Sequence, residues 1–152
     1  MRAVVQRVSR ASVSVAGEPV SEIGAGMLVL LCVLKGDTDA AAVRMAEKLA
    51  ALRIFEDAAG RMNLALDQAG GEALVVSQFT LAADLKRGNR PGFDNAAPPE
   101  EGRRLCDAVT AELGKRVAKP VRTGRFGAMM DVALVNAGPA TFVMEVGSET
   151  PA

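Results

Sequence analysis

The sequence predicts a single α/β domain, with a mixed, largely antiparallel sheet and two helices. Three observations predict it. Apolar and polar residues alternate through the first third of the chain, Met27 to Leu34 is a continuous apolar run, and two segments carry helical periodicity. At 152 residues, 49% of them apolar, the chain can bury a sizeable core as one domain spanning 1–152.

The elements follow in order. Val4, Gln6 and Val8 oppose Ala3, Val5 and Arg7, and Val13 and Val15 alternate with Ser12 and Ser14, the period of a half-buried strand. Ala16-Gly17-Glu18 reads as a hairpin connection to a returning strand, Val20 to Ile23. The run Met27 to Leu34 suits a strand buried on both faces. Asp37-Thr38-Asp39 supplies capping oxygens for a helix over Ala40 to Leu52, with Val43, Ala46, Leu49 and Ala50 on its apolar face. Arg53 to Glu56 and Glu72 to Val76 read as strands. Ala82 to Ala97, with Gly88, Pro91 and Gly92, reads as a long ordered loop of the kind that carries function. Pro98-Pro99-Glu100-Glu101 opens a second helix, which turns Leu105, Val109 and Leu113 inward and stops at Gly114. Val121 to Thr123 is a short strand. Two apolar runs, Val132 to Val135 and Phe142 to Val146, finish the sheet around a turn, Asn136-Ala137-Gly138-Pro139-Ala140-Thr141.

Composition narrows the chemistry. The chain has no histidine, which excludes Ser-His-Asp and Cys-His arrangements and any histidine-ligated zinc. Its two cysteines, Cys32 and Cys106, lie far apart without metal-ligand spacing and read as reduced core thiols, so neither a metal nor a cofactor is expected. No apolar stretch is long enough for a membrane span, and a soluble, cytoplasmic protein is expected. Net charge is zero, yet the windows Leu85 to Phe93 and Gly114 to Met130 hold eight of the eighteen positive charges and none of the eighteen negative ones. A basic face on an acidic body suits a localised phosphate contact; the same residues also read as solvated loop charges.

Three stretches could carry chemistry. Ser77-Gln78-Phe79-Thr80-Leu81 sets hydrogen-bonding groups at the end of a strand, where unpaired amides could hold a carbonyl oxygen as it gains charge. It reads equally as a strand terminus with local caps. Thr123-Gly124-Arg125-Phe126-Gly127-Ala128-Met129-Met130 presents a cation and an aromatic on one turn. The loop around Gly138-Pro139 offers only carbonyls and shape, since Gly138 has no side chain and Pro139 no N–H.

These stretches, with Lys86-Arg87-Gly88-Asn89-Arg90-Pro91, the opening Met1 to Val8 and the segment Leu52 to Asp57 leading to Met62-Asn63, resemble in order and spacing the D-aminoacyl-tRNA deacylase family over nearly the whole chain. The resemblance implies that family's fold, with barrel-like β layers, and hydrolysis of the ester between a D-amino acid, or mischarged glycine, and the 3′-terminal ribose of tRNA. It implies no cofactor, a homodimer with active sites at the subunit interface, and a Gly-cisPro loop that crosses to the other subunit. Carried over, Ser77, Gln78, Phe79 and Thr80 stand at the ester, with the Phe79 amide as oxyanion donor and Thr80 as a candidate nucleophile. Gly138 and Pro139 face the substrate amino group from the loop Asn136-Ala137, Arg7 holds that loop, and Met130 lines the pocket. The chain departs from the family pattern at Ala137 and Met129, where Asp is common, and at Gly92, where Ser is. With no side-chain base in view, chemistry assisted by the 2′-hydroxyl of the tRNA is expected. A noncatalytic tRNA- or ribosome-binding module and a hydrolase of small esters are the alternatives.

Overall fold

The computed structural model describes residues 1–147. Alternating small apolar and polar residues draw Arg2–Val15 into one long strand, β1. Ala16 and Gly17, at φ of 50° and 80°, make the two-residue turn whose twist suits a tight hairpin, and β2 (Glu18–Ile23) returns. β3 (Gly26–Cys32) prolongs the same path, so one side of β1 binds β3 over Arg2–Val8 and β2 over Ala11–Val15. The other side carries β8 (Asp131–Glu145) along almost its whole length. β3 pairs in parallel with β6 (Glu72–Ser77), and β6 with β7 (Arg122–Thr123). Ser21 Oγ donates to the Thr123 carbonyl at 2.7 Å and draws β2 toward β7, so the sheet nearly closes as the barrel-like layers expected. A separate short hairpin, β4 (Phe55–Glu56) with β5 (Met62–Leu64), lies off this sheet.

Two apolar clusters hold the layers. Val8, Ala11, Val13, Ile23, Leu28, Leu74 and Val76 fill the inside of the curled sheet. Ala3, Val5, Met27, Val29, Leu31, Ala73 and Val75 face the other way, against α1 (Asp39–Ala51) and α2 (Pro99–Gly114). β3 and β6 are thus buried on both faces, as the unbroken apolar run predicts. On β1 the odd-numbered side chains change face, from the helices at Ala3 and Val5 to the interior at Ala11 and Val13. The cause is a register shift between Val8 and Arg10, since one extra residue turns all that follow to the opposite face.

α1 starts where Thr38 Oγ1 accepts from the Ala41 N–H. Its buried face is Ala41, Ala42, Met45, Ala46 and Leu49, with Val43 only partly covered, so the stripe is rotated from the one expected because small alanines admit close approach to α2. α2 buries Gly102, Leu105, Cys106, Val109 and Leu113, as its period predicts, but Gly114 is its last helical residue and Lys115 follows in right-handed conformation. The strand expected from Arg53 begins only at Phe55, because the Ile54 carbonyl accepts from Arg7 Nη1 at 2.8 Å instead of joining a ladder. The expected turn around Gly138-Pro139 is an excursion within the one strand β8 and joins no separate strands. Ahead of α1, Asp37 accepts from the buried Met1 ammonium at 2.7 Å and from the Leu34 N–H at 2.7 Å. No helix among the described residues is long and apolar enough to cross a membrane.

The parallel pair depends on close backbone approach at Gly26, where an added Cβ would lie 1.8 Å from the Glu72 carbonyl oxygen. Gly26→Ala should therefore cost about 3 kcal/mol or more, the upper end for overpacking, because only backbone could yield. Urea denaturation of the variant against Gly114→Ala, whose Cβ would meet nothing within 4 Å, checks this.

Candidate active site

The three strands that run in parallel end at one rim of the sheet, the position at which open α/β sheets bind ligands. Past β3 come Val33 and Lys35, past β6 Ser77 to Leu81, and past β7 Gly124 to Gly127. The first turn of α2 leans over them. Together they enclose a cavity of about 470 Å³ whose walls include Leu31, Ser77, Phe79, Phe93, Gly102 and Phe126.

Backbone groups released at the end of β6 are retaken one by one. Gln78 N donates to the Leu31 carbonyl at 2.8 Å, Leu81 N to Gln78 at 3.2 Å and Ala83 N to Thr80 at 3.1 Å, winding Phe79–Ala82 into a 3₁₀ turn. Below it Cys32 Sγ donates to the Phe79 carbonyl at 3.6 Å, and Arg2 Nη1 donates to that of Leu81 at 2.6 Å. Phe79 opens the turn, so its N–H has no acceptor within it. Phe79 is 60% exposed, and its ring meets Phe93 edge to face at 5.2 Å. Gln78 Nε2 donates to Thr80 Oγ1, and among the described residues no carboxylate or amine bonds to the hydroxyl of Ser77 or Thr80. Neither hydroxyl has a base to take its proton.

Across the cavity the Arg103 guanidinium stands 4.8 Å over the Phe126 ring. Met130 is not in the cavity wall. Its sulfur accepts from the Arg125 N–H at 3.4 Å and lies where a Cβ on Gly124 would come within 2.7 Å, so it props the Gly124–Phe126 turn from beneath. The Asp84–Gly92 bridge, with bonds of 2.7 and 3.1 Å, ties off the loop carrying Lys86, Arg87 and Arg90 beside Phe93. Of the second basic window, Lys115 and Arg116 pair with Glu112 and Lys119 donates to the Gly70 carbonyl, which leaves Arg122 and Arg125 toward solvent.

The Gly138-Pro139 peptide is cis. Its excursion faces Arg7 of β1: Arg7 Nε donates to the Ala137 carbonyl at 2.8 Å, while Asn136 Nδ2 donates to the carbonyls of Arg7 at 2.9 Å and Ala140 at 3.2 Å. A Cβ on Gly138 would meet Asn136 Oδ1 at 2.5 Å, so the loop's own closure requires glycine there. Arg7 stands opposite Met27 and Ala73, four residues along the strands from the row of Ala3, Leu31 and Ser77. That is roughly 13 Å along the sheet and, with three strand spacings between β8 and β6, roughly 14 Å around it. Within one chain, then, Arg7, Asn136, Ala137, Gly138 and Pro139 form one cluster and Ser77, Gln78, Phe79 and Thr80 another.

The model of the family described as D-Tyr-tRNA(Tyr) deacylase matches residues 4–145. The chain belongs to that family. The D-aminoacyl-tRNA deacylase of Dinoroseobacter shibae is 59% identical over 145 residues, which cover 95% of this chain and 99% of that protein; one from Cereibacter sphaeroides (strain KD131) is 56% identical over the same shares. A solved structure described as c-Myc DNA Unwinding Element Binding Protein superposes with a TM-score of 0.92 at 39% identity, over 97% of this chain and all of that one. A probable eukaryotic D-amino acid tRNA deacylase shares the fold, with a TM-score of 0.79 at 18% identity over 94% and 97%. As a member of the deacylase family the chain is a hydrolase.

Nothing in the sequence of this deacylase marks Phe93 or the α2 residues Gly102 and Arg103 as part of the site. Phe93 sits in a stretch without periodicity, and α2 shows an ordinary amphipathic pattern; only the fold brings them to the rim.

Cys106 lines the same cavity, and burial pushes its thiol from the ordinary 9.0 up to about 12, with Cys32 and Asp107 adding to the rise. A thiol held neutral by the fold stabilises it fully below the unfolded pKa, and that contribution is lost as pH rises from about 9 to about 12. Stability of the wild type should fall more steeply across that window than that of Cys106→Ala in denaturant titrations at stepped pH. Alkylation of the native thiol at pH 8 should be slow.

Proposed function

We propose that the protein hydrolyses the ester linking a D-amino acid, or mischarged glycine, to the 3′-terminal ribose of tRNA, as a homodimer in the cytoplasm. The observation that carries this reading is the Phe79 N–H, left without an acceptor among the described residues at the mouth of an apolar, aromatic-walled slot. The slot suits the flat base of a terminal nucleotide against Phe126. The ribose then lies over Ser77, and the ester carbonyl reaches the Phe79 amide, which stabilises the oxygen as attack makes it negative. Since Thr80 accepts from Gln78 and has no base beside it, the proton work falls to the 2′-hydroxyl of the ribose or a held water.

Selection of the D configuration requires the second cluster. Gly138 and Pro139 stand too far from their own chain's Ser77–Thr80 to touch the same substrate, so a second copy supplies them. β8 is built for that meeting. Its outer edge pairs with no strand among the described residues, and Val135 and Val143 are 42% and 70% exposed upon it, an edge that invites another chain. Carbonyls of the loop then receive the substrate amino group, and handedness is judged by the room left for a side chain.

A binding module without catalysis is the second reading, favoured by the missing side-chain base. Incubation with D-Tyr-tRNA and L-Tyr-tRNA separates the two: the deacylase releases D-tyrosine alone, and the binding module releases neither.

Thr80→Val should keep kcat/KM within about tenfold, far from the 10²–10⁴-fold loss of a proton-transferring group; loss of turnover with binding retained would make Thr80 the nucleophile. Phe79→Pro, which removes only the amide beyond what Phe79→Ala removes and stands at a first helical position that admits proline, should turn over about 10²–10³-fold more slowly than Phe79→Ala. Gly138→Ala should cost about a hundredfold in kcat/KM by displacing the loop, with thermal stability little changed. Val143→Lys should shift the protein toward monomer in analytical ultracentrifugation and lower activity with it.

A further inference from the structure

Beside the aromatic slot lies a second cavity, of about 250 Å³ and different character. The two share Ser77, Cys106 and Phe126, and the second is walled by Arg103, Asp107, Thr110 and Arg125. Arg103, Asp107 and Thr110 follow one another at i, i+4 and i+7 on α2 and so share one face of the helix. Among the described residues neither arginine forms an ion pair, nor does Asp107. Their charge remains available to a ligand.

The hydrogen-bonding sense of this wall is definite. Thr110 Oγ1 donates its proton to the Cys106 carbonyl at 3.0 Å, so it turns lone pairs to the cavity. The Asp107 carboxylate is acceptor-only as well. Two acceptors side by side select a donor edge, and the two flanking guanidinium groups select a phosphate. Phe126, which divides the two cavities with Arg103 stacked on it at 4.8 Å, places one flat ligand directly next to the other.

We propose that this second cavity is the subsite for the penultimate nucleotide of the acceptor end, and that Asp107 reads its base. The inference rests on the reading above, in which the terminal base fills the aromatic slot. With the ribose over Ser77, the phosphate joining the two nucleotides meets Arg125 and Arg103. The next base enters the polar cavity, where the exocyclic amine of a cytosine donates to Asp107 and Thr110. A uracil turns a carbonyl oxygen to the same acceptors and is repelled, and the cavity's volume favours a pyrimidine over a purine. The protein thereby checks the strand carrying the ester, as well as the amino acid.

Binding of uncharged acceptor minihelices tests this without reference to hydrolysis. Two helices ending CCA and CUA are titrated against wild type, Asp107→Ala and Asp107→Asn by fluorescence anisotropy. Wild type should prefer CCA by about tenfold, the discrimination of one good base contact. Asp107→Ala should abolish the preference, and Asp107→Asn, whose amide both donates and accepts, should bind the two helices alike. Arg103→Ala and Arg125→Ala should weaken both helices equally, each reducing the slope of log affinity against log salt by about one. Equal affinity of wild type for the two helices, or a preference that survives in Asp107→Ala, overturns the subsite. Intact preference with no release of D-tyrosine from charged tRNA leaves the subsite standing and overturns the hydrolytic reading alone.

Discussion

Backbone amides set free at the end of a doubly buried strand must find partners, and that constraint shapes the rim of this sheet. β3 and β6 have apolar side chains on both faces, so no solvent-facing side chain relieves their ends. The chain answers with the 3₁₀ turn Phe79–Ala82, an arginine from β1 and a thiol from β3, which between them bind the Leu81 and Ala83 amides and the Phe79 and Leu81 carbonyls. Among the described residues the N–H groups of Phe79 and Thr80, the first two of the turn, are left without an acceptor. The Phe79 vacancy, at a point partly open to water, costs little, and on the reading proposed above it becomes a strong donor when a substrate oxygen takes it up.

The far side of the sheet shows the same economy in reverse. Arg7 sits at the irregular stretch of β1 and spends its guanidinium on two carbonyls from distant parts of the chain, Ile54 and Ala137. One contact ends a strand early, and the other fixes the base of the Gly138-Pro139 excursion. Asn136 closes the excursion from within. A loop whose own side chains contribute almost nothing is thus held in place by neighbours that contribute a great deal.

Much of this architecture is legible in the sequence, because period and punctuation report burial. The unbroken run of β3, the Thr38 cap and the inward leucines of α2 all follow from local pattern. What pattern cannot report is partnership. Nothing around Ile54 signals that an arginine 47 residues earlier takes its carbonyl. Val43 looks as apolar as Ala42, and only the closeness of α2 makes the smaller residue the buried one. Gly138-Pro139 has the composition of a turn, and a bulge within one strand uses the same residues. At the site, Ser77 to Thr80 stand out through their resemblance to a family. Phe93, in a stretch without periodicity, does not, and neither do Arg103 and Asp107, since a solvated helix face and one proposed to bind a ligand share the same amphipathic spacing.

A donor made of backbone has a genetic consequence. Side-chain catalysts are lost to many point mutations, whereas only proline deletes an amide. No phenylalanine codon becomes a proline codon by a single base change, so the Phe79 N–H survives every single-nucleotide substitution of its own codon. Drift can alter the ring that lines the slot, and with it affinity, while the group proposed to carry the chemistry stays in place. A catalytic step built this way would degrade by degrees.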